Sequence, residues 1–202
     1  MIRNLKPYFF AAGLLLIVGL AGARSANATP VTYSTNGSFN GGSNSITFTS
    51  GTGSTTISFL GILPATTVDA SPSTFASLGD FKTTVEGTGA TIAPGTTFTL
   101  TITQSAPTAG TGAFSATLNG TLTQNSSTGL VTFSVSTVTI NGVTYSLTNN
   151  PLPLVPPSTN NGITSVQAQI TAATVPEPAT MLLLGTGLAG VAARVRKRRK
   201  AA

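Results

Sequence analysis

Four stretches of this chain alternate apolar and hydroxyl residues with a period of two. Phe98, Leu100 and Ile102 interleave with Thr97, Thr99, Thr101 and Thr103. Phe114, Ala116, Leu118 and Leu122 interleave with Ser115, Thr117, Asn119 and Thr121. Val131, Phe133 and Val135 alternate with Thr132, Ser134 and Ser136, and Val143, Tyr145 and Leu147 with Thr144 and Ser146. Successive side chains of a strand point to opposite faces, so each run has one face for a core and one for water. The apolar phase slips between Val135 and Val138-Thr139-Ile140, which predicts a bulge or bend. Asn141-Gly142 between Ile140 and Val143 predicts a type I′ hairpin.

Weaker strand patterns occupy 45–50, 54–60, 80–86 and 164–171. Gly, Ser, Thr and Pro clusters at 36–44, 61–73, 87–95, 104–112 and 149–162 read as loops, and 73–79 as one short helical turn. The segment 149–162 carries Pro151, Pro153, Pro156 and Pro157, and the strand pattern resumes after it. It is therefore expected to be a long crossing loop within one domain. Eight or nine strands and almost no helix predict an all-β fold, a single antiparallel β-sandwich ectodomain over residues 29–174. The absence of Cys leaves that domain without disulfides, so a packed core must hold it. Disordered chains are usually charged and poor in β-branched residues; this one is rich in Thr, Val and Ile.

Charge is confined to the ends. The formal net charge is +6, yet nine of the ten Lys and Arg lie at Arg3, Lys6, Arg24 and between Arg194 and Lys200. Between Thr29 and Thr174 stand one cation, Lys82, and three acids, Asp69, Asp80 and Glu86, a net of −2. No basic footprint for phosphates lies there, so nucleic acid is not expected as a partner.

The two ends read as targeting segments. Residues 1–28 have a basic start at Arg3 and Lys6, an apolar run from Phe9 to Ala23, and a small-x-small site at Ala26-Asn27-Ala28. That is the order of a secretory signal peptide, cleaved so that the mature chain begins at Thr29. At the other end, Val175-Pro176-Glu177-Pro178 is a rigid, non-helical spacer, because each Pro fixes its own φ and extends the residue before it. Ala179 to Ala193 is uncharged and apolar on every face, as a transmembrane helix is. Fifteen helical residues rise about 22 Å, short of a ~30 Å hydrocarbon core, and snorkelling by Arg194 and Arg196 closes part of the gap. Arg194, Arg196, Lys197, Arg198, Arg199 and Lys200 then act as a topology signal that stays cytoplasmic.

This succession over residues 175–200 resembles the PEP-CTERM sorting signal of Gram-negative bacteria, also known as the ice-binding protein C-terminal domain. The resemblance rests on Val175, Pro176, Glu177 and Pro178, the Leu/Gly-rich span 179–193 and the terminal Arg/Lys cluster. It implies an inner-membrane processing enzyme, exosortase, as partner, with cutting near the motif. It also implies export, transient or permanent residence in the inner membrane, and a final place at the cell surface or outside, often with exopolysaccharide and biofilm.

Catalytic chemistry is poorly provided for. His and Cys are absent, which removes the usual neutral-pH base, Ser-His and Cys-His nucleophile pairs and the common zinc sites. A glycosidase pair would need two carboxylates roughly 5–10 Å apart. Asp80 and Glu86, six residues apart on one strand, would stand about 20 Å apart on a shared face. Asp69, Asp80 and Glu86 could offer oxygen ligands to calcium, but their spacing matches no known loop, and solvated charges that keep strand edges apart are the expectation. Gly185-Thr186-Gly187-Leu188-Ala189-Gly190 spells a dinucleotide fingerprint, but the chain ends twelve residues later in a basic tail, with no room for the βαβ unit. Those glycines suit close helix contact in a membrane.

No catalytic residue, cofactor or metal is therefore expected. The expected function is that of an exported, non-enzymatic surface or extracellular-matrix protein sorted through its tail. The alternative is a glycan- or ice-binding domain that uses Thr-rich strand faces such as 97, 99, 101 and 103, although no fixed-period repeat extends that ladder.

Overall fold

The computed structural model of the chain describes residues 29–70 and 72–173, together with Gly185 and Leu188, where the backbone is helical. The expected signal peptide with Ala26 and Ala28, the motif Val175–Pro178, the rest of the expected transmembrane span 179–193 and the basic tail lie outside the described residues. Among the described residues no helix is long and apolar enough to cross a membrane, a statement that does not bear on β-barrels. One compact unit ends at Ala172 and a second begins at Ala173.

Fourteen strands lie among the described residues of the first unit. They are β1 (Thr29–Phe39), β2 (Ser45–Ser50), β3 (Gly53–Leu60), β4 (Thr66–Ala70), β5 (Ser73–Glu86), β6 (Ala90–Thr91) and β7 (Thr97–Ala106), then β8 (Gly110–Asn119), β9 (Thr121–Leu122), β10 (Leu130–Phe133), β11 (Thr137–Ile140), β12 (Val143–Leu147), β13 (Leu152–Pro153) and β14 (Ile163–Ala172). The first six-stranded sheet runs β13-β10-β8-β7-β1-β4, and the second runs β11-β12-β14-β5-β3-β2. β6 and β9 make a small third pair. Every pairing is antiparallel, and the two large sheets are half-barrels. The all-β, antiparallel expectation is met.

The alternation dictates what each sheet buries. Phe98, Leu100 and Ile102 of β7 are fully buried, while Thr97 and Thr103 are exposed. Phe39 and Phe98 from the first sheet meet Phe59 and Phe81 from the second, with ring centroids 4.8–6.3 Å apart and tilted planes. Tilted and edge-on arrangements suit the ring quadrupoles, and burying each such side chain is worth about 1.5–3 kcal/mol. Seven of the eight phenylalanines between 29 and 173 are buried; Phe75 is exposed.

Several segments differ from expectation. The stretch 73–79 is strand, not a helical turn: it opens β5. The pairing with β14 shifts between Val166 and Gln167, leaving Leu78 as an extra residue between Ser77 and Gly79. That bulge breaks the period-two pattern that would have revealed the strand. β1 runs through the start of the expected loop 36–44, because Thr35 and Gly37 occupy inward positions that read as polar or turn-forming. β4 lies inside the expected loop 61–73, and β7 and β8 leave only residues 107–109 of the expected loop 104–112.

The slip after Val135 has a topological cause. β10 belongs to the first sheet and β11 to the second, so residues 134–136 carry the chain across. The Ser134 N–H donates to Ser115 O in the first sheet (2.9 Å), and Ser136 O accepts from Leu147 in the second (2.8 Å). The hairpin forms as expected, with Ile140 opposite Val143 and positive φ at Asn141 (45°) and Gly142 (86°). The segment 149–162 also crosses: β13 pairs with β10 in the first sheet before β14 returns to the second. Leu152 and Leu154 bury there.

Candidate functional site

Of the charged residues between 29 and 173, Asp80, Lys82 and Glu86 share the outer face of β5, with Thr84 between the last two. Asp80 Oδ1 accepts from the Ser165 hydroxyl on β14 at 2.6 Å. The Lys82 ammonium donates to the backbone carbonyl of Asn161 in the 3-10 turn Asn160–Gly162. Asp69 sits on β4, at the edge of the other sheet. No group of three acids, His or Cys that could hold a metal gathers among the described residues. Asp80 and Glu86 remain about 20 Å apart at strand rise, because the backbone between them is regular and no bend folds it back.

The Thr ladder has a more developed setting. Thr97, Thr99, Thr101 and Thr103 stand on the outer face of β7, which lies between β8 and β1 near the middle of the first sheet. The register lays out four cross-strand rows: Thr132-Thr117-Thr97, Ser115-Thr99-Ser38, Ala113-Thr101-Asn36 and Thr111-Thr103-Ser34. These twelve positions carry ten hydroxyls, one amide, one methyl and no charge. Rows repeat every second residue, about 6.8 Å apart, and strands lie about 4.8 Å apart. Thr97 is tied down, sharing the Asn40 carboxamide oxygen through both its N–H (2.9 Å) and its hydroxyl (3.3 Å). Such a grid can exchange hydrogen bonds with water or a neutral polyol; it has no group that would transfer a proton at neutral pH. The ladder was legible in the sequence, but the rows were not. Ser34, Asn36 and Ser38 come from β1, and only strand order places them beside β7.

Inside, polar groups brace the sheets. The Tyr33 hydroxyl donates to Ser77 O (2.7 Å), and Thr35 Oγ1 donates to Leu78 O (2.7 Å) while accepting from the Ile62 N–H (2.8 Å). The bulge in β5 turns these two carbonyls toward the facing sheet. The Tyr145 hydroxyl donates to Gln104 Oε1 (2.9 Å), and Gln104 Nε2 donates to Thr108 O (2.7 Å). Tyr33 and Tyr145 meet edge-on at 6.0 Å. Burial pushes the Tyr33 phenol up to about 12 and Tyr145 higher still, with the neighbouring Tyr33 phenolate adding repulsion. No buried side-chain nitrogen or oxygen lacks a partner among the described residues. Among the described residues these inward polar groups hold the two sheets and their connections together.

Residues 174–199 match the family described as PEP-CTERM protein-sorting motif. The match takes in Val175, Pro176, Glu177 and Pro178 and the basic residues from Arg194 to Arg199. No curated protein and no solved structure matches the chain.

Proposed function

We propose that this chain, which carries a PEP-CTERM protein-sorting motif, is an exported, non-enzymatic surface or matrix protein. Its signal peptide is removed after Ala28, and its two-layer β-sandwich ectodomain begins at Thr29. A short helix at 179–193 holds it in the inner membrane, with Arg194, Arg196, Lys197, Arg198, Arg199 and Lys200 on the cytoplasmic side. An exosortase-type enzyme acts near Val175–Pro178 and delivers the ectodomain to the surface or beyond, in association with exopolysaccharide. The observation that carries this reading is the sorting-motif match placed directly behind an all-β domain. Intact mass and cell fractionation in the native host test it. The expected species starts at Thr29, ends near the Pro-Glu-Pro stretch and leaves the inner membrane; deleting the processing enzyme should retain it there with Arg194–Lys200 attached. An unchanged mass and location in that deletion would overturn the reading.

A second reading, a binding face for neutral glycan or for ice, is favoured by the four uncharged hydroxyl rows on the first sheet. Binding on a glycan array, or thermal hysteresis, that disappears in Thr99→Lys/Thr101→Lys would support it. A blank result in both assays removes it.

A further inference from the structure

The two sheets leave four edge strands, and three are guarded. β13 is two residues long and contains Pro153, which has no N–H to offer. β4 carries Asp69. β11 has four residues and folds over β8, where Val138 and Ile140 fill the space that a side chain at Gly112 would need. β2, Ser45-Ile46-Thr47-Phe48-Thr49-Ser50, is the longest of the four and has no charge, no Pro and no bulge. Natural sheet edges usually carry one of those guards against strand addition.

We propose that β2 is a self-association edge. Two copies of the chain pair antiparallel through Ser45–Ser50 about a two-fold axis at Thr47, joining their second sheets into one of twelve strands. The backbone phase supports this. The Phe59 N–H donates to Asn44 O at 2.8 Å, and the register continues through Ile46 opposite Ile57 and Phe48 opposite Thr55. In an antiparallel ladder hydrogen-bonded residues alternate, so Asn44, Ile46, Phe48 and Ser50 face β3. The N–H and C=O groups of Ser45, Thr47 and Thr49 then point to the open edge. Among the described residues β3 is the only strand paired with β2, and of those edge groups only the Ser45 N–H has a contact, with Ser43 Oγ at 3.3 Å.

The side chains are self-complementary in that register. Thr47 stands opposite Thr47 of the other copy, Ser45 opposite Thr49, and Ile46 opposite Phe48. All three odd positions meet odd positions, so up to about six backbone hydrogen bonds form. Hydroxyls meet hydroxyls on the outer face, extending the row in which Thr47 and Thr56 already share a 2.8 Å hydrogen bond. On the inner face Ile46, half-buried in one copy, gains the neighbouring Phe48 ring as cover. A closed two-fold contact of this kind uses one patch twice and stops at the dimer. With no charge on the strand, its strength should be independent of salt. The inference does not depend on how the tail is processed.

The test is sedimentation velocity of the full chain in detergent, for the wild type, Thr47→Lys, Thr47→Glu and an equimolar mixture of the two variants. Thr47 is exposed and its hydroxyl meets only the Thr56 hydroxyl, so the substitutions leave the core intact, which melting of all three proteins at concentrations where the wild type is monomeric verifies. The wild type is expected to dimerise with concentration. Each variant alone, with like charges directly opposite, is expected to self-associate about tenfold more weakly, and the mixture to recover as a Lys–Glu heterodimer. A wild type that stays monomeric, variants that associate like the wild type, or a mixture that fails to recover would each overturn the proposal.

Discussion

Tyr33 and Tyr145 tie the stability of this domain to alkaline pH. An exposed phenol in the unfolded chain ionises near pH 10, whereas burial holds the folded Tyr33 up to about 12 and Tyr145 above that. Above pH 10 the unfolded state therefore binds fewer protons, so the stability contributed by the neutral phenols is intact below pH 10 and is lost as pH rises through 12. The chain has no His or Cys to titrate between, so urea midpoints should be flat from pH 6 to 9 and fall beyond 10. Tyr33→Phe should make that fall shallower and cost about 1–3 kcal/mol at pH 7, since Ser77 O loses its donor. A midpoint that holds to pH 11.5 would contradict the assignment. Gly37 shows the opposite constraint. A Cβ there would stand 2.4 Å from Phe59 Cδ1 and 2.6 Å from Phe98 Cε2, both in the ring cluster. Gly37→Ala should destabilise by about 1–3 kcal/mol through overpacking, read as a lower thermal midpoint with unchanged strand content. Neither residue's role was legible in the sequence: Gly37 read as a turn former because its neighbours in space are 22 and 61 residues away.

At the scale of elements, hydroxyls bolt the connections to the strands. Thr83 of β5, fully buried, donates to Val155 O (2.7 Å) and Gly162 O (3.2 Å), and Thr164 of β14 accepts from the Val155 N–H (3.0 Å). Asn150 does the same work at the other end of the crossing segment, exchanging 2.9 Å hydrogen bonds with both the N–H and the C=O of Phe133. Thr83→Val keeps the shape and removes the single hydroxyl hydrogen that Val155 O and Gly162 O share. Amide exchange should accelerate within 152–162 while β7 and β8 keep their protection, at a cost of about 1–3 kcal/mol. Uniform acceleration through both sheets would show instead that the segment and the core open together. The strands with clean alternation, β7, β8, β10 and β12, were legible, as was the Asn141-Gly142 hairpin. β1, β4 and the first half of β5 were not. Their inward positions hold Thr35, Gly37 and a bulge, where tertiary contact overrides local pattern.

For the whole molecule, the segregation of charge gives processing a direct signature. The full chain is basic, with an isoelectric point near 10.4, while residues 29–174 carry one Lys against three acids. A species released by the proposed two cuts should focus below pH 7, and one that keeps Arg194–Lys200 should stay basic; a basic species outside the cell would count against cutting near Val175–Pro178. Composition, period and end segments are properties of residues and their near neighbours. For that reason the sequence by itself determined the all-β class, the burial phase of the cleanest strands, the hairpin and the sorting motif at 174–199. Strand order is different in kind, because it depends on which distant segments lower the free energy by covering one another's apolar faces. Only the tertiary structure decided that residues 134–136 change sheets, that β1 lies beside β7 to build the hydroxyl rows, and that β2 is left at an unguarded edge.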